Sequence, residues 1–268
     1  MFSRLFSKTK PLPSARTPEE TVVWAVGDIH GRSDLSAPLI DAIRADLVAS
    51  AASRKVIVFL GDHVDRGPDS RGVLDQLVEV GSDTRLEVHC LRGNHEERLE
   101  AFLDEPDLGP SWCDYGGREA LMSYGVVPPV MKGDADGWVA ASVALGEALP
   151  DSHRRLLRSQ AYCVSIGDYF FAHAGARPGV PLEAQSPEDL MWIRQAFLDH
   201  PAPFEQVVVH GHTPSETVVW DGRRIGVDTG AYATNVLSAV RLEGETRTAL
   251  QAAGRGERVT LSTSALAG

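Results

Sequence analysis

The chain has 268 residues, 43% apolar and 24% charged, an ordinary globular composition that excludes wholesale disorder. Its net charge of −11 argues against a general nucleic-acid or anionic-membrane binder, since both need basic surface to displace counterions. Cys90, Cys113 and Cys163 are widely spaced and form no Cys-x-x-Cys pair, so neither a disulfide framework nor a structural zinc site is expected, and the default compartment is cytoplasmic.

Residues 1–20 carry Arg4, Lys8, Lys10 and Arg16 with Pro11 and Pro13 and lack the apolar core of a signal peptide. They read as a flexible lead-in, with a membrane-touching role for Phe2, Leu5 and Phe6 as the lesser alternative. Thr21–Val26 is a short β-branched run that stops at Gly27 and predicts a buried strand. A helix is expected over about Asp34–Ala52, with Leu35, Leu39, Ile43 and Leu47 on one face. Val56–Leu60 predicts a second strand, Ser70–Val80 a second helix, and Leu86–Leu91 a third strand. This βαβαβ series makes the three strands parallel.

From Glu96 to about Ser159 the pattern is helical and more polar, and reads as an insertion that shapes one wall of a site. Strands are then expected at Tyr162–Ile166 and Tyr169–Ala172, flanking a Gly167-Asp168 hairpin turn. Ser186-Pro187 opens a helix running to about Leu198. Val207–Val209, Thr217–Trp220, Arg224–Val227 and Leu237–Leu242 read as further strands, with a turn at Asp221-Gly222. One domain over residues 21–253 is expected, followed by an edge strand and loose tail over 254–268.

Polar clusters sit where the strands end. Asp28 follows the first strand in Gly27-Asp28-Ile29-His30-Gly31, and Asp62 follows the second in Gly61-Asp62-His63-Val64-Asp65-Arg66-Gly67. Asn94 and His95 follow the third. Asp62 lies 34 residues after Asp28, and Asn94 lies 32 after Asp62; each step is close to one βαβ unit of about 30 residues. Parallel strands so spaced deliver these groups to one sheet edge, the carboxyl ends where open α/β sheets bind ligands. Carboxylates crowded together are costly unless cations accompany them, and Asp and Asn oxygens with His nitrogens suit divalent manganese, iron or zinc. Two later apolar strands end on His173 and on His210-Gly211-His212.

The motifs GDIHG, GDHVDRG, RGNHE, HAG and HGHT, in this order, resemble the phosphoprotein phosphatase family of the calcineurin-like metallophosphoesterases, in particular its bacterial and phage serine/threonine phosphatases. The resemblance covers roughly Val22 to Thr229. It implies an α/β fold, a four-layer α/β/β/α sandwich of two mixed sheets with a helical insertion. It implies two divalent metal ions, manganese first, with iron or zinc as alternatives. Asp28 and His30 would bind the first, Asp62 would bridge both, and Asn94, His173 and His212 would bind the second. His95 would protonate the leaving group with Asp65 as its partner, while Arg66, Arg92, Arg194 and Asn94 would face the substrate.

The implied reaction is hydrolysis of a phosphomonoester, phosphoserine or phosphothreonine in proteins above all, by direct attack of hydroxide on phosphorus. The partner is then a phosphorylated protein or small phosphoester, with no nucleic acid and no stable membrane association. A symmetrical dinucleoside tetraphosphate hydrolase is the nearest rival. Those enzymes typically carry alanine where Asp65 stands, so Asp65 favours monoesters with poor leaving groups. A non-catalytic phospho-binding module is the rival from another class, disfavoured because every expected ligand is present.

Plainer readings stand beside several of these. Arg194 could be a solvated residue on the 187–198 helix. His210 reads as strand-end packing, and His63 as bordering the substrate without a ligand role. Asp228 and Gly230 read as structural support, Tyr115, Gly116 and Gly117 as shaping the cleft with a helix cap as the equal alternative for the glycines, and Trp24, Trp112, Trp138 and Trp220 as core or rim packing.

Overall fold

Thr21–Val26 (β1) is buried along its whole length, as its run of apolar and β-branched residues demands. Ser33–Ala49 (α1) carries the chain back to Arg54–Phe59 (β2), and Ser70–Gly81 (α2) to Glu87–Cys90 (β3). All three strands are parallel, with Val23 opposite Val56 and Val58 opposite His89. Asp69 caps α2 by accepting the Gly72 N–H at 2.9 Å. The first helix ends before the expected Ala52, because Ser50 turns extended and its hydroxyl accepts the Ala52 N–H. The computed structural model describes residues 14–256 and 258–266.

The insertion contains five α-helices, Asn94–Asp104 (α3), Gly109–Asp114 (α4), Gly117–Ser123 (α5), Ala135–Ala148 (α6) and Asp151–Ser159 (α7), with a 3-10 turn at Pro106–Leu108 between the first two. The second half starts with the hairpin Cys163–Ile166 (β4) and Tyr169–Ala172 (β5), turning at Gly167 and Asp168. Pro187–Trp192 (α8) and Gln195–Leu198 (α9) follow, then Val207–His210 (β6), Val219–Trp220 (β7), Arg224–Gly226 (β8), Ala231–Thr234 (α10) and Val236–Glu243 (β9). Thr246–Arg255 (β10) and Arg258–Ala265 (β11) complete the chain's ladders.

Two mixed sheets result, ordered β11-β10-β9-β1-β2-β3 and β4-β5-β6-β8-β7. Strand alternation divides their side chains among three cores. Val23, Ala25, Val56 and Val58 face Tyr169, Phe171, Val207 and Val209 between the sheets. Val22, Trp24, Ile57 and Phe59 point the other way, onto α1, α2 and the insertion. Phe170, Ala172 and Val208 back onto Leu190 and Phe197 of the outer helices. The order is thus helices, sheet, sheet, helices, the architecture the motifs imply.

Three expectations need correction. The helix expected over 187–198 breaks at Ile193, whose backbone turns extended, and at Arg194, which is neither helical nor extended; Ile193 thereby enters the outer core with Leu190 and Phe197. The boundary expected after residue 253 falls inside β10, which pairs with β9 from Thr246 to Ala253, so the C-terminal stretch continues the first sheet. Residues 1–13 of the expected lead-in, with Phe2, Leu5 and Phe6, lie outside the described residues. Its remainder is docked: Arg16 N–H donates to Asp168 Oδ2 at 3.0 Å, and Tyr169 Oη donates to the Ala15 carbonyl at 3.0 Å. No helix among the described residues is long and apolar enough to cross a membrane.

Phe171 is fully buried between the sheets. Phe171→Ala is expected to destabilise the protein by about 3–5 kcal/mol, the transfer and cavity cost of a buried phenylalanine. Denaturant unfolding measures it; a loss below about 1 kcal/mol would mean that the sheets repack freely around the gap.

Candidate metal centre and adjoining cleft

The loops leaving β1, β2, β5 and β6 at their carboxyl ends meet where the two sheets abut, beside the start of α3. Asp28 is buried there, and its two oxygens accept the His212 N–H at 3.2 and 3.0 Å, tying the sheets together. Asp62 stands in the middle. Its Oδ2 lies 3.5 Å from His30 Nε2 and 3.9 Å from His95 Nε2, while Oδ1 lies 3.4 Å from His173 Nε2. Two sets of donor atoms therefore lie within 4.8 Å of one another, His30 with Asp62 and His95, and Asp62 with His173 and His212. Asp62 belongs to both sets. Asn94 Oδ1 is 3.0 Å from His173 Nε2, which is 3.1 Å from His212 Nδ1.

Backbone carbonyls decide which ring nitrogens face inward. His30 Nδ1 lies 2.8 Å from the Val64 oxygen and His173 Nδ1 lies 2.9 Å from the Leu60 oxygen. A carbonyl only accepts, so Nδ1 carries the proton and Nε2 offers its lone pair to the site. His212 Nε2 is buried with no hydrogen-bond partner among the described residues.

The loops are held by one carboxylate. Glu96 accepts the N–H groups of Asp62 at 2.9 Å, His63 at 2.8 Å, Val64 at 3.2 Å and Gly93 at 2.9 Å. Close approach also requires glycine at two points. A Cβ on Gly93 would fall 2.2 Å from Asp62 Oδ1, and one on Gly211 would fall 2.0 Å from Asp28 Oδ1.

Burial governs the charges. It raises the Asp28 pKa well above the usual carboxylate range, helped by the charges of Asp228 and Asp62. Asp228 rises to about 6, again by burial first. Burial pushes His30 down to about 3 and His212 down to about 2. Asp62 is held well below its ordinary value although burial opposes this, because His173, His95 and His30 surround it. Carboxylates packed against imidazole nitrogens, with an orphaned ring nitrogen among them, are a donor set that divalent cations fit.

Beside this centre, His95 Nδ1 donates to Asp65 Oδ2 at 2.7 Å, and the same oxygen accepts the Trp112 indole N–H at 2.8 Å. Against the cost of burial, Asp62 and Asp65 raise the His95 pKa. His95 Nε2 is left facing the Asp62 cluster. A cleft of about 340 Å³ opens here, lined by Arg66, Asn94, His95 and Arg194 among others. Arg66 Nη1 lies 3.2 Å from His30 Nε2, and its guanidinium lies over the Tyr232 ring at 4.6 Å. The break after α8 is what brings Arg194 to this cleft rather than to a helix face.

Arg92 is not brought there. It pairs with Glu100 of α3 and lines a neighbouring cavity with Arg154 and Arg158. His63 does not border the cleft either; it is fully buried, edge-on to Phe59 at 6.3 Å. His210 is strand-end packing: its Nδ1 lies 2.9 Å from the Gly211 oxygen, Arg224 donates to its Nε2, and Phe197 covers it. Asp228 accepts the Gly230 N–H and shares the buried charge of the centre. Tyr115 lines the cleft, and Gly116 accepts the Arg66 N–H at 3.0 Å.

Trp112, read from sequence as packing, also orients Asp65, and nothing in its surrounding residues signals that. Glu96 could have been found, standing three residues after Gly93 as the reciprocal partner of a helix start. Arg98, which lines the cleft together with Trp192, was missed; only the three-residue step from His95 to Arg98 on a helix hints at a shared face.

A family model described as calcineurin-like phosphoesterase matches residues 21–243. A serine/threonine-protein phosphatase 1 from Salmonella typhimurium is 37% identical over 75 residues, covering 28% of this chain and 30% of that protein. An asymmetrical bis(5'-nucleosyl)-tetraphosphatase, PrpE, from Anoxybacillus flavithermus is 22% identical over 237 residues, covering 81% of this chain and 88% of that protein. The chain thus spans less than a third of the first relative's length. The solved cold-active protein-tyrosine phosphatase of a Shewanella species shares the fold with a TM-score of 0.53 at 18% identity, over 95% of this chain and 83% of that one.

The raised pKa of Asp228 has a measurable sign. Its neutral form is favoured in the fold, so without metal its charge destabilises the protein above pH about 6 and ceases to do so below about 4. Metal-stripped Asp228→Asn is expected to melt above the parent at pH 7.5, with the gap closing as pH falls toward 4. Thermal melts across that range test it; a gap independent of pH would contradict the assignment.

Proposed function

Because the chain belongs to the calcineurin-like phosphoesterase family, we propose that it hydrolyses phosphomonoesters with the help of two divalent cations, phosphoserine and phosphothreonine of proteins being its substrate class. Asp28, His30 and Asp62 would hold one cation, and Asp62, Asn94, His173 and His212 the other. Manganese is the leading candidate for this mixed oxygen and nitrogen set, with iron and zinc behind it. When bound, such a pair acidifies water and draws charge from the phosphoryl oxygens.

The observation that carries the monoester reading is the His95–Asp65 pair. An alkoxide is a poor leaving group and needs a proton as the bond to phosphorus breaks. Asp65, oriented by Trp112, holds Nδ1–H of His95 and thereby aims Nε2 at the Asp62 cluster. Asp62 and Asp65 favour the protonated ring that must donate. Arg66 and Arg194 stand on the cleft wall beside it, where planar guanidinium groups suit the oxygens of a phosphate dianion. Arg92 would join them only by leaving Glu100.

His95 also lies within ligand distance of His30 and Asp62, so its two possible roles have different signatures. For His95→Asn, turnover on an alkyl phosphate is expected to fall roughly 10²–10⁴-fold with metal content unchanged. Loss of one metal equivalent, read by elemental analysis, would make His95 a ligand instead.

The second reading is a dinucleoside polyphosphate hydrolase, favoured by the extent of the PrpE alignment, which covers 81% of this chain. A nucleotide leaves as a stabilised phosphate anion and has less need of a proton donor. Rates on a phosphoserine peptide and a dinucleoside tetraphosphate with manganese separate the two. Preference for the peptide is expected, and clear preference for the dinucleotide would reverse the ranking.

A further inference from the structure

The cleft beside His95 is lined by Arg66, Arg98 and Arg194 and by no carboxylate, in a chain whose net charge is −11. Arg66 is engaged by His30 and Tyr232. Arg98 is exposed, and its guanidinium has no carboxylate partner among the described residues. It lies instead over the Trp192 ring at 5.2 Å. Trp192 is fixed in turn, since its indole N–H donates to Glu97 Oε2 at 2.9 Å. Two consecutive residues of α3 therefore hold this indole, Glu97 by its edge and Arg98 by its face.

Stacking leaves the N–H groups around the guanidinium rim free to meet an anion, and it limits the rotamer freedom that binding would otherwise remove. His95 and Arg98 are three residues apart on one helix, so they share a face with about 5–6 Å between their Cβ atoms. A phosphoryl group beside the Asp62 cluster would be met by Arg66 and Arg194, which line the cleft. Arg98 stands one helical turn further along the same wall.

We infer that Arg98, seated on Trp192, is a second anion subsite, and that the substrate carries another negatively charged group about one helical turn from the phosphorus attacked. This rests on the hydrolase reading above and narrows it. The shared chemistry is an oxyanion that accepts guanidinium hydrogen bonds. Its source is an acidic side chain flanking a phosphorylated residue, or the further phosphates of a polyphosphate.

Steady-state kinetics on the manganese-loaded protein and its Arg98→Gln variant distinguish these. One arm compares a phosphoserine peptide flanked by glutamates with the same peptide flanked by glutamines. The other compares a dinucleoside tetraphosphate with p-nitrophenyl phosphate. The parent is expected to prefer the more anionic substrate by roughly tenfold in kcat/KM, mostly through KM, in the arm that matches its source. In Arg98→Gln that ratio should fall close to one. A ratio that survives the substitution, or a parent with no preference in either arm, overturns the subsite.

If none of the four compounds is hydrolysed, the hydrolase reading fails, and calorimetric titration with pyrophosphate and orthophosphate judges the subsite by itself. Arg98→Gln should then weaken pyrophosphate about tenfold more than orthophosphate. Equal effects on both ligands would overturn it.

Discussion

Three carboxylates, Asp28, Asp62 and Asp228, are buried together where two sheets abut, and the rest of the molecule is arranged around that fact. Charges placed so far from water are unfavourable by several kcal/mol each unless something compensates. Backbone donors supply part of the compensation: His212 N–H to Asp28, His95 N–H to Asp62 and Gly230 N–H to Asp228. The imidazoles supply less than their number suggests, because burial favours the neutral forms of His30 and His212 and leaves ring lone pairs among the carboxylates. What remains is a deficit of positive charge surrounded by donor atoms, an arrangement that could hold cations.

Holding such a group requires loops that support each other. The N–H groups of Ile29 and His30 donate to the Asp62 oxygen at 3.1 and 2.9 Å, and Gly31 N–H donates to His63 at 2.9 Å. Gly211 N–H donates to His173 at 2.8 Å across the second sheet. Glu96 then locks the β2 and β3 loops through four backbone donors. His30, Asp62, Asp65, Arg66 and His212 all take left-handed backbone, which is unfavourable by about 1–2 kcal/mol for a residue with a Cβ. These are the residues whose side chains must converge. The buried parallel strands and the inter-sheet core around Phe171 form the packed scaffold from which these strained loops extend.

Much of this is legible in the sequence because the signals are local and redundant. Apolar runs ending in Gly-Asp, or in Gly93-Asn94 for the third, mark the parallel strands to within a residue or two, and two βαβ spacings place Asp28, Asp62 and Asn94 at one edge. The misses share a different cause. Arg92 leaves the cleft for Glu100, a partner on the next helix that no motif encodes. The 187–198 helix breaks because Ile193 has a core to enter, and that core exists only once Phe170 and Phe197 are packed. Thr246–Arg255 alternates poorly, yet it forms a long strand because β9 offers it an edge. The indole of Trp112 and the guanidinium of Arg98 matter through what lies opposite them in space, and residue spacing carries little of that.

The most direct test of the cation account is anomalous diffraction at the manganese edge from crystals grown with manganese. Two peaks per chain are expected, one among Asp28, His30 and Asp62 and the other among Asp62, Asn94, His173 and His212, with Asp62 touching both. A single peak, or peaks lying away from Asp62, would contradict it.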